Sequence, residues 1–300
     1  MTSSTPHKSG YIFAAIVVMV WSGFILVSRL GGVSPLTAWD TMALRFATAS
    51  CILLPYWLWK RPCSLLDPRV LTLAVVGGIG YCAFVYLGFK SAPATHAALL
   101  LPGLLPFFNV IFACLIMGET FTRNRAVSLT VIAAGVGCLA VEAFSAPTGP
   151  NHSLWGDVLL LASSCCWALY GVLSRHWKIG PMASLTGVAL ITAALYLPVY
   201  LLFLPKQIAV APTATIVTQI VYQGIIATTI AMWLYIRAQE ILGPSTVGAF
   251  MAMIPAVAGL AAVPLLGEHL SVWLLAGLFF VSCGAFLGVK GLAWLKDKEA

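Results

Sequence analysis

The sequence predicts an all-α integral membrane protein, with ten transmembrane helices arranged as two inverted five-helix repeats. Three observations predict it. The 300 residues are 61% hydrophobic and 8% charged, with a mean hydropathy of +0.98. A soluble domain carries roughly 25% charged residues, so this chain cannot cover a water-facing surface. Ten apolar segments approach the ~20 residues a helix needs to cross a bilayer. They lie at 10–30, 36–58, 70–90, 93–117, 125–144, 154–175, 182–204, 214–238, 244–266 and 271–294. The segments also repeat. Leu105-Pro106 to Gly118-Glu119 returns as Ile254-Pro255 to Gly267-Glu268, and Tyr86 maps onto Tyr235 and Gly135 onto Gly284, all at an offset of 149 (255 − 106).

Taken in order, the first helix is preceded by a lone Lys8. Its apolar run, Tyr11 to Val27, exceeds a usual signal-peptide core and lacks a small-x-small cleavage site, so it is expected to stay as a span. It carries Trp21 and closes on Ser28-Arg29, with Gly31-Gly32 beyond. Helix two carries Arg45 about nine residues in, roughly 13 Å deep at 1.5 Å per residue. Near a helix centre such a charge costs on the order of 3 kcal/mol. Asp40 is badly placed to pair with it, so a carbonyl or a group on another helix is the expected partner. Arg45 is read either as a gate or substrate anchor or as a packing residue. Helix three presents Gly77, Tyr81, Phe84 and Gly88 at helical spacing. Helix four holds Pro102, Pro106 and Asn109, and helix five Gly135.

The stretch from Ser145 to Ser153, with Pro147, Gly149 and Pro150, divides the chain. The expected domains are a first repeat over 1–145, a loop at 146–153 and a second repeat over 154–300. Helix six carries Trp167, Tyr170 and Ser174-Arg175, with the spacing of Trp21 to Ser28-Arg29. Helix eight carries Gln223, Thr229 and Trp233, the repeat partner of Phe84; helix nine carries Met251, Pro255 and Pro264. Gly284-x-x-x-Gly288 in helix ten is a candidate packing face.

Orientation follows from the basic residues. With the N-terminus inside, the inner side receives Lys8, Lys60, Arg61, Arg69, Arg123, Arg125, Arg175, Lys178, Arg237, Lys290, Lys296 and Lys298. The outer side receives Arg29, Arg45, Lys90 and Lys206, of which Lys90 and Arg29 are expected to snorkel at the interface. Both termini are thus expected in the cytoplasm. The net charge of +7 is topology rather than a nucleic-acid face. Because each half has an odd number of helices, the second is expected to be an inverted copy of the first. Alternating-access carriers recur with this architecture, with the substrate near the midplane between repeats.

Ten helices in two five-helix repeats, each with an apolar fourth helix ending in Gly-Glu and a glycine seventeen residues on (Gly118 to Gly135, Gly267 to Gly284), resemble the EamA family of the drug/metabolite transporter superfamily. Arg45-Phe46 in helix two fits the same family. The resemblance covers nearly the whole chain. It implies a bacterial inner-membrane exporter of amino acids and related metabolites.

Pro102, Pro106, Pro255 and Pro264 each withhold a hydrogen bond from a helical carbonyl. Kinks with carbonyls lining a cavity are expected in helices four and nine. Phe84 and Trp233 are expected to face each other across the pseudo-two-fold axis, with Trp21, Tyr81, Asn109, Trp167, Tyr170, Gln223, Thr229 and Met251 completing the cavity. The nine acidic residues fall at or near helix ends or in loops. Their placement argues against a proton-coupling carboxylate or a counter-ion for cationic drugs. One deep arginine argues against phosphate-bearing substrates. Glu119 and Glu268 are read as helix-ending residues. The eight cysteines read as small buried hydrophobes. His96, His152, His176 and His269 have no metal-ligand spacing, and no catalytic motif occurs, so neither an enzyme nor a cofactor is expected. The expected function is export of small neutral or zwitterionic metabolites, amino acids foremost, without proton coupling, by a monomer or homodimer in the bilayer. Helices one, three and four would rock against six, eight and nine. The alternatives are an importer or exchanger of nucleobases or other neutral organics, and a membrane interaction protein that transports nothing.

Overall fold

The computed structural model describes residues 5–145, 154–269 and 271–290; the inter-repeat loop, His152 and the terminal Lys296 and Lys298 lie outside them. The described chain is helical. We label α1 (Thr5–Val33), α2 (Ala38–Lys60), α3 (Pro68–Ser91), α4 (Ala94–Leu100 and Leu105–Met117), α5 (Arg123–Ser145), α6 (Leu154–His176), α7 (Pro181–Phe203), α8 (Thr213–Leu242), α9 (Pro244–Met251 and Ile254–Leu266) and α10 (Val272–Lys290). Among the described residues nine helices are long and apolar enough to span a bilayer, and Val272–Gly288 of α10 adds a shorter apolar run. This is a multi-pass membrane protein, and all ten expected helices are present.

Local chemistry sets the ends. Thr37 and Asp40 form a capping box at the start of α2, with Asp40 N–H donating to Thr37 Oγ1 at 3.0 Å and Thr37 N–H to Asp40 Oδ2 at 2.7 Å. Asp40 also accepts from the Tyr200 hydroxyl at 2.6 Å and the Gln207 amide at 3.0 Å, which leaves it no role with Arg45. Asp67 caps α3 ahead of Pro68, and Arg69 hydrogen-bonded to it holds that carboxyl below its ordinary range. Gly118 and Gly267 end α4 and α9 at φ 67° and 66°, a left-handed turn that favours glycine.

Two features depart from uniform α-helix. First, α3 and α8 contain π-helical stretches, Ala74–Gly80 and Ile220–Ile230, at repeat-equivalent positions. In the second, the Thr228 and Thr229 hydroxyls donate to carbonyls five residues back, Gln223 O at 2.6 Å and Gly224 O at 3.0 Å. Second, α4 and α9 are broken rather than kinked, between Leu100 and Leu105 and between Met251 and Ile254. At the break in α4 the Leu101 carbonyl accepts a hydrogen bond from the Ser164 hydroxyl of α6 at 2.9 Å.

The repeats are interleaved: α1 packs on α8, α3 on α6, α2 on α7 and α5 on α10. In the last pair the backbones approach closely. A Cβ on Gly284 would stand 2.9 Å from Ile132 N and from Ser128 O, and one on Gly135 would stand 2.8 Å from Gly277 O. Ser128 also donates to Gly284 O at 2.6 Å. The Gly284-x-x-x-Gly288 face is therefore occupied within the chain.

The two ends of the bundle differ. At the end holding Glu268, residues 94–100 of α4 are wholly buried and pack on Ile254–Leu266 of α9, on α1 and on α6. At the end holding Glu119, Pro244–Met251 has no comparable packing on Leu105–Met117 or on α6. Where α1 packs on Tyr81–Ser91 of α3, the counterpart α6 leaves Ala231–Leu242 of α8 alone. The Glu268 end is closed and the Glu119 end is open.

Candidate functional site

The helices place three half-buried rings in series. Tyr81 of α3 and Trp167 of α6 have ring centroids 4.8 Å apart, and Trp167 and Tyr170 are 4.9 Å apart. Glycine makes this possible, because a Cβ on Gly77 would stand 2.6 Å from the Tyr170 ring. Ser184 donates to the Tyr170 hydroxyl at 2.9 Å, and Ser163 to Tyr81 O at 3.1 Å, so both aromatic residues are held in register. Across the bundle the Trp21 ring lies tilted against Tyr235 at 5.1 Å and its indole N–H donates to Ala227 O at 3.4 Å.

Arg45 stands at the Tyr81 end of the ladder, 9% exposed. Its guanidinium lies over Phe24, Phe46 and Tyr81 at 5.5, 5.9 and 6.0 Å, a cation–π cage. It donates to the Tyr86 hydroxyl at 3.2 Å, which donates to Gln223 Oε1 at 3.1 Å; Gln223 Nε2 donates to Ser28 Oγ at 3.0 Å. This chain ties α2, α3, α8 and α1. The Arg45 Nε is buried without a partner, and no carboxylate among the described residues pairs with the group.

Asn109 is half-buried on α4 and forms no hydrogen bond with the described residues. Its Oδ1 lies 4.0 Å from where a Cβ on Gly171 of α6 would stand. Pro102 and Pro106 are half-buried beside the break in α4, Pro255 is buried at the break in α9, and half-buried Met251 packs on the cluster of Ala14, Ala238 and Val247.

Three expected cavity residues are placed elsewhere. Gln223 is fully buried with both ends of its amide bonded, so it crosslinks helices rather than facing a ligand. Thr229 spends its hydroxyl on its own helix. Trp233 is 49% exposed on the same helix face as Ile230 and Arg237, with its ring on Phe13 at 6.3 Å. Phe84 is half-buried on a segment that does not pack on the segment of Trp233, so the two do not face each other. The ring of α8 that meets Trp21 is Tyr235, two residues further on. Its repeat relation to Tyr86 was the signal for it.

Cross-repeat polar contacts were also missed. His96 of α4 lies 3.1 Å from both carboxylate oxygens of Asp157 of α6. Arg29 is buried rather than snorkelling; it donates to Phe89 O at 2.9 Å and approaches Glu268 to 3.9 Å. Lys90 donates to the carbonyls of Ser34 and Leu36 in the α1–α2 turn. An apolar groove of about 660 Å³ between α4 and α5, lined by Phe107, Val110, Cys114 and Leu129 among others, lies on the face of α4 turned away from Asn109.

Such an arrangement can hold an amphipathic organic molecule between aromatic faces, with an amide and a cation at hand. Its likeness to known proteins agrees. The chain is 23% identical over 303 residues to an uncharacterized transporter of Archaeoglobus fulgidus, covering 98% of this chain and 99% of that one. To the uncharacterized transporter YyaM of Bacillus subtilis it is 27% identical over 179 residues, 57% of this chain and 58% of that protein. To the aromatic amino acid exporter YddG of Ancylobacter novellus it is 26% identical over 205 residues, 67% of this chain and 70% of that one. A crystal structure with a TM-score of 0.64 and 24% identity, covering 97% of this chain and 99% of the other, shares the fold. The profile of the EamA-like transporter family matches twice, at residues 8–141 and 154–289. Two family units, interleaved around an aromatic interior, make this chain a transporter belonging to the EamA-like transporter family.

Proposed function

We propose that this transporter exports small neutral or zwitterionic metabolites, amino acids foremost, across a bacterial inner membrane. The observation that carries the reading is the ladder of Tyr81, Trp167 and Tyr170, shared between the repeats and flanked by Asn109 and Arg45. A side chain or ring stacks on these faces, an ammonium is met by aromatic π-systems and the Asn109 carbonyl, and a carboxylate is drawn toward Arg45. The printed name of the Ancylobacter novellus relative supports the amino-acid class.

Transport proceeds by alternating access between inverted repeats, and the positive-inside bias supports a cytoplasmic position for the open Glu119 end. No carboxylate stands in the ladder to carry a proton, so movement follows the substrate gradient. The test is counterflow in proteoliposomes loaded with unlabelled amino acids, with labelled ones outside, with and without a pH gradient. Uptake driven by the internal pool and indifferent to the gradient is the expected result. Exchange that demands the gradient removes the facilitative mechanism. Silence for amino acids, with exchange of nucleobases, moves the substrate class.

A further inference from the structure

The two Gly-Glu turns have the same backbone but different partners. Glu268 follows Gly267 (φ 66°) and accepts the amides of Ala94 and Thr95, at 2.7 and 2.8 Å, the first residues of α4 in the other repeat. Arg29 stands 3.9 Å from the same carboxylate. Glu119 follows Gly118 (φ 67°), and its arginine neighbour Arg175, repeat partner of Arg29, stands 3.7 Å away, with Arg125 bonded to its other oxygen. The Glu–Arg pair is thus kept at both ends, while the helix cap is made only at the closed one.

The missing partner of Glu119 is present in the sequence. Pro93-Ala94-Thr95 opens α4, and Pro244-Ser245-Thr246 opens α9. Pro244, at the first helical position, has no N–H, so the amides that α9 offers for a cap are those of Ser245 and Thr246, two residues beyond the 149 register of Ala94 and Thr95. Ser245 and Thr246 belong to the segment that leaves Leu105–Met117 unpacked at the open end.

We propose that Glu268 and Glu119 are alternating latches: each closes its own end of the transporter by capping the broken helix of the opposite repeat, Glu268 on α4 and Glu119 on α9. The inference rests on the alternating-access reading above. In the present state Glu268 is latched. When it releases, the first half of α4 loses its cap, α9 swings onto Leu105–Met117, and Glu119 turns from Arg125 to the amides of Ser245 and Thr246. Arg29 and Arg175 hold the carboxylates in both positions, so neither charge is stranded during the exchange.

Hydrogen–deuterium exchange of the full chain in lipid nanodiscs tests this without added labels. In Glu268→Gln, exchange at residues 94–100 rises about tenfold, the order of a lost cap, while exchange at 244–251 falls. In the double variant Glu268→Gln/Glu119→Gln the protection at 244–251 is lost again. Glu268→Asp, which keeps the charge, gives an intermediate rise should the glutamine variant fold poorly. A uniform rise at both segments, or protection at 244–251 that survives loss of Glu119, overturns the proposal. Counterflow separates the two readings. Active wild type with a fully active Glu119→Gln sinks the latch alone. Inactive wild type with the expected exchange pattern sinks the transport assignment and leaves the latch standing.

Discussion

Gln223 and Trp233 show how residue identity and residue role come apart. Both are typical cavity side chains, and both sit on α8. Gln223 points to the interior, where a desolvated amide must satisfy its donor and acceptor, and it does so with Ser28 and Tyr86. Replacing it with leucine leaves both hydroxyl partners without their bond. The expected loss is about 1–3 kcal/mol, read as a lower Tm in detergent with substrate affinity held within a factor of two in the surviving fold. Trp167 has rings on both sides, whereas Trp233 has Phe13 and the Arg237 guanidinium over its ring at 6.0 Å. Trp167→Ala therefore lowers substrate affinity about tenfold or more, near 1.4 kcal/mol, and Trp233→Ala changes it little. Competition binding of unlabelled substrate decides between them, and equal losses would return Trp233 to the site.

At the scale of the element, glycines decide which helices touch. Gly77 lies in the π-helical stretch of α3 at the place where Tyr170 packs, so Gly77→Val forces the ring out of the ladder. The expected outcome is a raised apparent KM in counterflow with the bundle still folded. Gly284 belongs to a different contact, the crossing of α5 and α10, where the neighbours are the Ile132 side chain and two backbone atoms that cannot step aside. Gly284→Leu is expected to destabilise by about 1–3 kcal/mol or more through overpacking. Thermal unfolding reports it, and transport by the folded fraction keeps its substrate preference. The breaks in α4 and α9 follow a similar logic. Proline marks where the ladder of backbone bonds fails, but it is Ser164 on another helix that donates to the Leu101 carbonyl there.

The whole molecule is symmetric in sequence and asymmetric in packing. The matched units carry the same Gly-Glu turns, yet one end is sealed by α4 on α9 and the other is open. Under the proposed alternating-access mechanism the two packings are two states of similar free energy that a substrate gradient populates in turn. Orientation belongs to this scale too. The basic residues predict that reporters fused to either terminus report the cytoplasm; a C-terminal fusion active only in the periplasm would invert the topology and reverse the direction assigned to the open end.

Hydropathy and the repeat by themselves determined the ten helices, their boundaries to within a few residues and the family, because bilayer thickness and backbone hydrogen bonding leave a long apolar segment one choice. They also determined which positions are paired between halves, so Glu119 and Glu268, or Trp21 and Trp167, were legible as partners. Only the tertiary structure decided what those positions do. The π-helical stretches rotate the faces of α3 and α8, burying Gln223 and setting Tyr235, rather than Trp233, against Trp21. Arg45 found its partner on α3 and Glu268 found its amides on α4, contacts across the chain that no local spacing encodes. In lipid the outside of a helix is as apolar as its inside, so composition marks that a helix is buried in the membrane but not which face meets protein.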